Sequence, residues 1–175
     1  MAAPDLARLL VAGIITSSNR SARGERPDES GPAAAEFVRG MGGEVRYQIV
    51  VPDDIAAIAD AIREAVAQGC TLVLTSGGTG LSPTDVTPEA TRGVIDREIP
   101  GIAEALRARS LEKTPHAMLS RGIAGALGTA LVVNLPGSPR AVRESLEVIA
   151  PAISHALELL AGASGESTHA LGRKA

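Results

Sequence analysis

Residues 71–91 read TLVLTSGGTGLSPTDVTPEAT, and the order of apolar run, glycines and acid in this stretch decides the fold. Leu72, Val73 and Leu74 form an unbroken apolar run between Gly69 and Gly77, the pattern of a short strand buried on both faces. Gly77, Gly78 and Gly80 then free the backbone to turn tightly and to bring its N–H groups close to a bulky anion such as a phosphate. Asp85 follows. A carboxylate beside a phosphate cradle is repelled unless a divalent cation lies between them, so the two features together point to a magnesium-nucleotide site. Thr87 and Pro88 have the form of an N-cap and first helical residue, with Glu89 in the first turn, where the helix dipole favours acid. Glycine clusters after strands are most often plain turns, and two familiar nucleotide motifs are excluded. Pro83 stands where a dinucleotide fingerprint needs its third glycine, and the lysine of a Walker loop is missing. An anion bound here must be held by backbone groups, hydroxyls, a metal, or an arginine from elsewhere.

Upstream, LLVAGIIT over 9–16 reads as a strand that ends in Ser17, Ser18 and Asn19. A charged loop with glycine and proline follows, and Asp28, Ser30 and Gly31 lie where it re-enters order ahead of a helix expected over 32–41. A second strand, 44–51, runs into Pro52 and Asp53. Asp54 has the place of an N-cap for a helix that puts Ile55, Ile58, Ile62 and Val66 on one side. Asp53 is then left at a strand end, although either aspartate could be the cap. Downstream, a short helix is expected through Val94, then a break at Pro100 and Gly101, and a helix over 102–111 whose Glu104, Arg107 and Arg109 read as solvated surface. Residues 114–128 are expected to hold another short helix. A fourth strong strand, 130–135, ends in NLPGSPRAV, where Ser138 caps and Pro139 opens a helix reaching about residue 160. Residues 1–8 read as an extension, 9–162 as one domain, and 163–175 as a polar, flexible tail.

Strands alternating with helices imply parallel pairing through right-handed crossovers, hence an α/β three-layer sandwich with a mostly parallel sheet. Such sheets bind ligands outside the carboxyl ends of their strands. Ser17, Ser18 and Asn19, then Pro52 and Asp53, then the run from Ser76 to Gly80, then Asn134, Pro136 and Gly137 are therefore expected on one edge.

Composition narrows the chemistry. A chain of 175 residues holds one domain with a full core, and a net charge of −3 gives no long-range attraction for nucleic acid or an anionic membrane. Phe37 and Tyr47 are the only aromatic residues, so a bound heterocycle would be held by backbone and polar edges rather than by ring stacking. Cys70 is the only cysteine, which excludes an internal disulfide and a multi-thiolate metal site; it reads as a small buried side chain. The apolar run from Leu9 to Ile15 is too short to span a bilayer and lacks a clear cleavage site, so a soluble cytoplasmic protein is expected. His116, His155 and His169 read as helix or tail residues.

TSGGTG at 75–80, DVTPEAT at 85–91, EIPG at 98–101 and NLPGSP at 134–139 together resemble the MogA/MoaB family of molybdenum cofactor biosynthesis, over nearly the whole of residues 9–160. The resemblance implies a homotrimer of three-layer α/β subunits that binds molybdopterin, has possible partners among other proteins of that biosynthesis, and needs neither nucleic acid nor membrane. In the family's catalytic branch AMP passes from Mg²⁺-bound ATP to the molybdopterin phosphate, and pyrophosphate leaves. By the same resemblance Asp53 and Asp85 match the two functional aspartates and would hold the Mg²⁺. Gly77, Gly78, Thr79 and Gly80 match the ligand loop, Asp28, Ser30 and Gly31 a D-x-S-G segment, and Asn134, Pro136, Gly137 and Ser138 a second binding loop. Ser18, Thr75 and Ser76 beside them complete the expected substrate and nucleotide contacts. Thr84 stands before Asp85 where many family members carry arginine or lysine, Asn19 follows Ser18 where an acidic residue is common, and Ser138 resembles the MoaB side. The alternatives are a non-catalytic molybdopterin-binding protein of MoaB type and a nucleotide-linked pyrophosphate hydrolase on the same fold.

Overall fold

In the computed structural model of the chain, residues 9–162 are described; the expected extension over 1–8 and the tail over 163–175 lie outside them. The elements, in order, are β1 (Val11–Ser17), α1 (Asn19–Ala22), α2 (Ser30–Gly40), β2 (Glu44–Val51), α3 (Ile55–Ala67), β3 (Leu72–Ser76), α4 (Thr87–Arg92), β4 (Arg97–Glu98), α5 (Pro100–Leu111), a 3₁₀ turn (Pro115–Leu119), β5 (Ala124–Leu127), β6 (Ala130–Leu135) and α6 (Pro139–Leu160). The strands form one six-stranded sheet in the order β2-β1-β3-β6-β5-β4. β2, β1, β3 and β6 are parallel, whereas β5 runs antiparallel to β6 and β4 antiparallel to β5.

Period-two alternation sends the strand residues to two cores. Ala12, Ile14, Leu72, Leu74, Leu131 and Val133 face α2 and α6, with Ile102 and Leu106 of α5 packed against the same cluster. Val11, Ile15, Val73 and Val132 face the other way, onto Ile58, Ile62 and Ala65 of α3 and Ala90 of α4. Helices thus cover both faces of the sheet in three layers. Ile58 and Ile62 are fully buried, and each contributes roughly 2–3 kcal/mol by leaving water. Cys70 belongs to this second core, and burial pushes its thiol above the ordinary value, as a structural role requires.

Several expectations need correction: Pro100 and Gly101, expected as a break, are the first two residues of α5. The short helix expected within 114–128 is present as the 3₁₀ turn, but it is followed by a strand that was not expected, β5, which pairs with β6 through a tight connection at Gly128 and Thr129, Gly128 having φ +56°. Alanine and glycine in Ala124–Leu127 carry almost no period, so the hairpin left no pattern. Thr87 is not the N-cap of α4: Val86 occupies that place, and the Thr87 hydroxyl is buried with no hydrogen-bond partner among the described residues. Helix α2 begins at Ser30 rather than at Pro32, because the Asp28 carboxylate accepts hydrogen bonds from the N–H groups of both Ser30 and Gly31.

Register fixes where the strands end. Thr16 lies opposite Ser76, Ser17 opposite Val51, and Ser76 opposite Leu135, so the carboxyl ends of the four parallel strands form one rim. Among the described residues no helix is long and apolar enough to cross a membrane.

Candidate active site

The turn after β3 is the centre of the rim. Gly77 adopts φ +89°, and a Cβ there would stand 2.4 Å from the Ser17 carbonyl oxygen; Gly78 has φ +62°. A side chain at Gly77 would have to move backbone, and a Cβ at Gly78 would stand 2.4 Å from the Thr87 hydroxyl oxygen. The carbonyls that follow are all drawn back into the protein. Thr87 N–H donates to Gly78 O at 3.0 Å, Arg121 N–H to Thr79 O at 2.9 Å, and Arg121 Nε to Gly80 O at 2.7 Å. In a trans peptide the N–H points opposite to the C=O, so the amides of Thr79, Gly80 and Leu81 face outward. Together with that of Gly78 they find no acceptor among the described residues. Successive free N–H groups of this kind form an anion-binding concavity.

The two aspartates flank this turn. Asp85 Oδ2 accepts from Ser82 N at 2.8 Å, while Oδ1 has no hydrogen-bond partner among the described residues. The carboxylate lies against Gly80, where a Cβ would come within 2.8 Å of Oδ2. Asp53 Oδ1 accepts from Ser17 Oγ at 2.7 Å and Oδ2 from Asn19 N at 2.8 Å, and Asp53 N donates to Asn19 Oδ1. Asp54 is the α3 cap, accepting from Ala57 N at 2.9 Å. This separates the roles of two adjacent aspartates that the sequence left open.

Other expected residues divide by how their polar groups are engaged. Asp28 accepts from Ser30 N, Ser30 Oγ, Gly31 N and Thr16 Oγ1, and a Cβ on Gly31 would sit 2.4 Å from its Oδ2. Ser30 Oγ in turn lies 3.0 Å from Ser76 Oγ. Ser18 caps α1 by accepting from Ser21 N, and Ser138 caps α6 by accepting from Ala141 N. Asn134 turns inward: Nδ2 donates to Thr75 Oγ1 and Thr91 Oγ1, both at 2.9 Å, and Oδ1 accepts from Ile123 N. Asn134 and Thr75 therefore tie the floor of the site together, with their side chains committed to the protein. Gly137 packs on Gly77, a Cβ there standing 3.4 Å from the Gly77 Cα.

The turn separates two hollows. A polar one of about 360 Å³ is lined by Ser17, Ser18, Arg26, Asp28, Ser30, Ser76, Gly77, Gly137 and Ser138. The other, about 340 Å³, lies between α5, the 3₁₀ turn and the start of α6, against Thr79, Gly80 and Pro136. Arg107 and His116, read from the sequence as surface and helix residues, line this second hollow, along with Lys113. Arg107 Nη1 donates to Gly122 O, and Lys113 pairs with Glu144 at 2.7 Å. Arg26, Lys113 and Arg121 went unassigned in the sequence because their neighbours in space are remote in the chain.

Residues 13–155 match the family described as "Probable molybdopterin binding domain". Among curated proteins the chain is similar to the molybdopterin adenylyltransferase of Helicobacter pylori J99, 37% identical over 153 residues that cover 86% of this chain and 87% of that one. It is 41% identical over 160 residues to gephyrin of Dictyostelium discoideum, where 86% of this chain spans only 22% of the relative. Among solved structures, the molybdopterin biosynthesis enzyme MoaB of Thermus thermophilus superposes with a TM-score of 0.82 at 49% identity, covering 87% of this chain and 97% of that one. MoaB of Pyrococcus furiosus, described as a tungsten cofactor synthesizing protein, superposes with a TM-score of 0.80 at 36% identity, with 86% and 96% covered. Sequence match and fold agree over the residues that build the rim, and the chain belongs to the probable molybdopterin binding domain family.

Proposed function

We propose that this protein is a molybdopterin adenylyltransferase: an oxygen of the molybdopterin phosphate attacks the α-phosphorus of ATP, the bond to the β-phosphate breaks, and adenylyl-molybdopterin and pyrophosphate form. The observation that carries the reading is the run of unpartnered amides at Gly78, Thr79, Gly80 and Leu81, placed between two hollows. Nucleotidyl transfer between two phosphorylated substrates asks for positioning and charge stabilisation more than for a protein nucleophile or strong base. Fixed N–H donors supply that stabilisation without reorganising as charge moves. A hollow on each side of the turn suits two substrates whose phosphates meet across it.

Magnesium fits the donors present. Among the described residues no group of three His, Cys, Asp or Glu side chains could hold a metal by itself, and Mg²⁺ is commonly held by one or two carboxylates plus substrate phosphates. Asp85, whose Oδ1 has no partner among the described residues, would be the carboxylate that holds it; Asp53, the second ligand expected from the sequence, has both oxygens engaged by Ser17 Oγ and Asn19 N and is the less open of the two. Bound there with ATP, the cation would neutralise phosphate charge and make the α-phosphorus easier to attack. A homotrimer, association with other molybdenum cofactor biosynthesis proteins, and a cytoplasmic location belong to the same proposal; light scattering in solution tests the first.

The deciding experiment combines purified protein, molybdopterin, Mg²⁺ and ATP, and follows adenylyl-molybdopterin and pyrophosphate. Product in stoichiometric amounts supports the transferase. A second reading, a non-catalytic molybdopterin-binding protein, is favoured by Thr84, whose hydroxyl lies 3.1 Å from Ser82 Oγ and adds no cation to the loop. Tight molybdopterin binding with no ATP consumption would establish that reading instead.

A further inference from the structure

We infer that Arg121 is a positioning residue that sets the phosphate cradle from behind: it fixes the peptide planes whose N–H groups face the ligand, and holds the loop that carries Asp85. This deepens the adenylyltransferase reading and rests on it.

Arg121 reaches the turn from the segment between the 3₁₀ turn and β5. Its backbone N–H donates to Thr79 O, Nε to Gly80 O, Nη2 to Asp85 O, and Nη1 to the Glu89 carboxylate. Each of the three guanidinium nitrogens thus has an acceptor on the protein, which takes three of the five N–H groups and turns Nε and Nη2 toward the loop carbonyls. The arginine that the cradle needs is present, but it works on carbonyls rather than on the anion.

Two consequences follow from where those carbonyls are. The planes linking Thr79 to Gly80 and Gly80 to Leu81 are pinned by their oxygens, so the Gly80 and Leu81 N–H groups are directed outward before any ligand arrives. A cation hydrogen-bonded to the oxygen of an amide also polarises that amide, strengthening the donor on its opposite side. The second consequence concerns Asp85. Leu81, Ser82, Pro83 and Thr84 are exposed, and apart from the local contacts between Ser82 and Asp85 the loop is closed by Thr87 N to Gly78 O and by Arg121. By gripping Gly80 O and Asp85 O at once, one side chain sets the distance between cradle and carboxylate. A surface ion pair with Glu89 would be a minor matter; it would not require the three carbonyl contacts.

The test uses the full chain, as wild type, Arg121→Ala, Arg121→Lys and Glu89→Gln. Inorganic pyrophosphate is titrated while the amide resonances of Gly78, Thr79, Gly80 and Leu81 are followed, and kcat and KM are measured for both substrates. In wild type those four amides should shift on titration. Arg121→Ala should weaken pyrophosphate binding about tenfold and lower kcat on the order of 10²-fold, with the KM for molybdopterin little changed, the size of loss that a misplaced catalytic geometry gives. Methylguanidine should restore part of both. Arg121→Lys keeps the charge and the contact to Thr79 O but not the fork, so most of the loss should remain. Glu89→Gln should cost less than about threefold, as an exposed ion pair predicts. If Arg121→Ala binds pyrophosphate and turns over like wild type, the inference is wrong. The same follows if its loss falls equally on both substrates and is not relieved by methylguanidine, which marks a fold effect, or if the wild-type amides do not respond. If wild type makes no adenylyl product yet its amides respond in an Arg121-dependent way, the transferase reading fails while the positioning role stands.

Discussion

Asp53 and Asp85 stand on one rim, beside one glycine turn, and their carboxylates are held in opposite ways. Asp53 has both oxygens engaged, by Ser17 Oγ and Asn19 N, so it locks the ends of β1 and β2 together. Asp85 has one oxygen engaged by Ser82 N and the other without a partner among the described residues. The same contrast recurs nearby. Asn134, Thr75 and Asp28 use their polar groups within the protein, whereas four successive amides of the turn do not. Polar groups with no internal partner are left to water or to a ligand. The division between the two sets therefore separates scaffold from ligand surface better than residue type does.

Two substitutions test that division most strongly. Asp85→Asn should lower turnover by about 10²-fold or more, the scale seen when a charge-stabilising group is lost, with no change in thermal stability because the amide oxygen can still accept from Ser82 N. Undiminished turnover would remove Asp85 from the chemistry. Asp53→Asn should instead be felt in folding. An amide offers one acceptor where two are needed and turns a donor toward a donor, so denaturant unfolding should show a loss of about 1–2 kcal/mol. Full stability with lost activity would move Asp53 from scaffold to ligand surface.

Much of this was legible in the sequence, for reasons that can be named. The apolar runs at 72–74 and 130–135 carry parallel strands because both faces are buried, and β2 came out at Glu44–Val51 because glycines and proline bound it. The start of α3 just after Asp53 and Asp54 and the end of α6 at Leu160 were equally local, though which aspartate caps α3 was not. The hairpin of β5 was hidden because alanine and glycine have no hydropathic alternation, and β4 is two residues long. Motif residues gave the location of the site but not the direction of its side chains. Asn134 and Thr75 sit in the expected segments and turn inward, a fact fixed by Thr91 and Ile123 rather than by their neighbours in the chain. Arg121 lies 41 residues from Gly80, and no local pattern joins them.

Within α4 the contrast reappears one turn apart, where the expected effect is smaller. Thr91 donates to Thr87 O and accepts from Asn134, and the Thr87 hydroxyl has no partner among the described residues although the residue is fully buried. Thr87→Val should therefore be neutral or stabilise by up to about 1 kcal/mol, while Thr91→Val should cost about 1–3 kcal/mol by leaving Asn134 and the Thr87 carbonyl short of partners. Equal losses in the two variants, measured by chemical denaturation, would mean that the Thr87 hydroxyl has a partner after all.

The smallest effect concerns the ion pair behind the cradle. Partial burial pushes the Glu89 carboxyl up, but the hydrogen bond from Arg121, its own backbone N–H and the charges of Arg121 and Arg92 outweigh it and hold the group below the usual glutamate value. A folded-state value below the unfolded one, about 4.3, gives stability that is fully present above that pH and disappears as pH falls through the folded value. The stability difference between wild type and Glu89→Gln should then be steady near neutrality and shrink toward zero on acidification below about pH 4. Both side chains are substantially exposed, so the neutral-pH difference is itself small. A difference that does not change with pH would mean that Glu89 contributes nothing as a charge, and that Arg121 is kept in place by the carbonyls of Thr79, Gly80 and Asp85 alone.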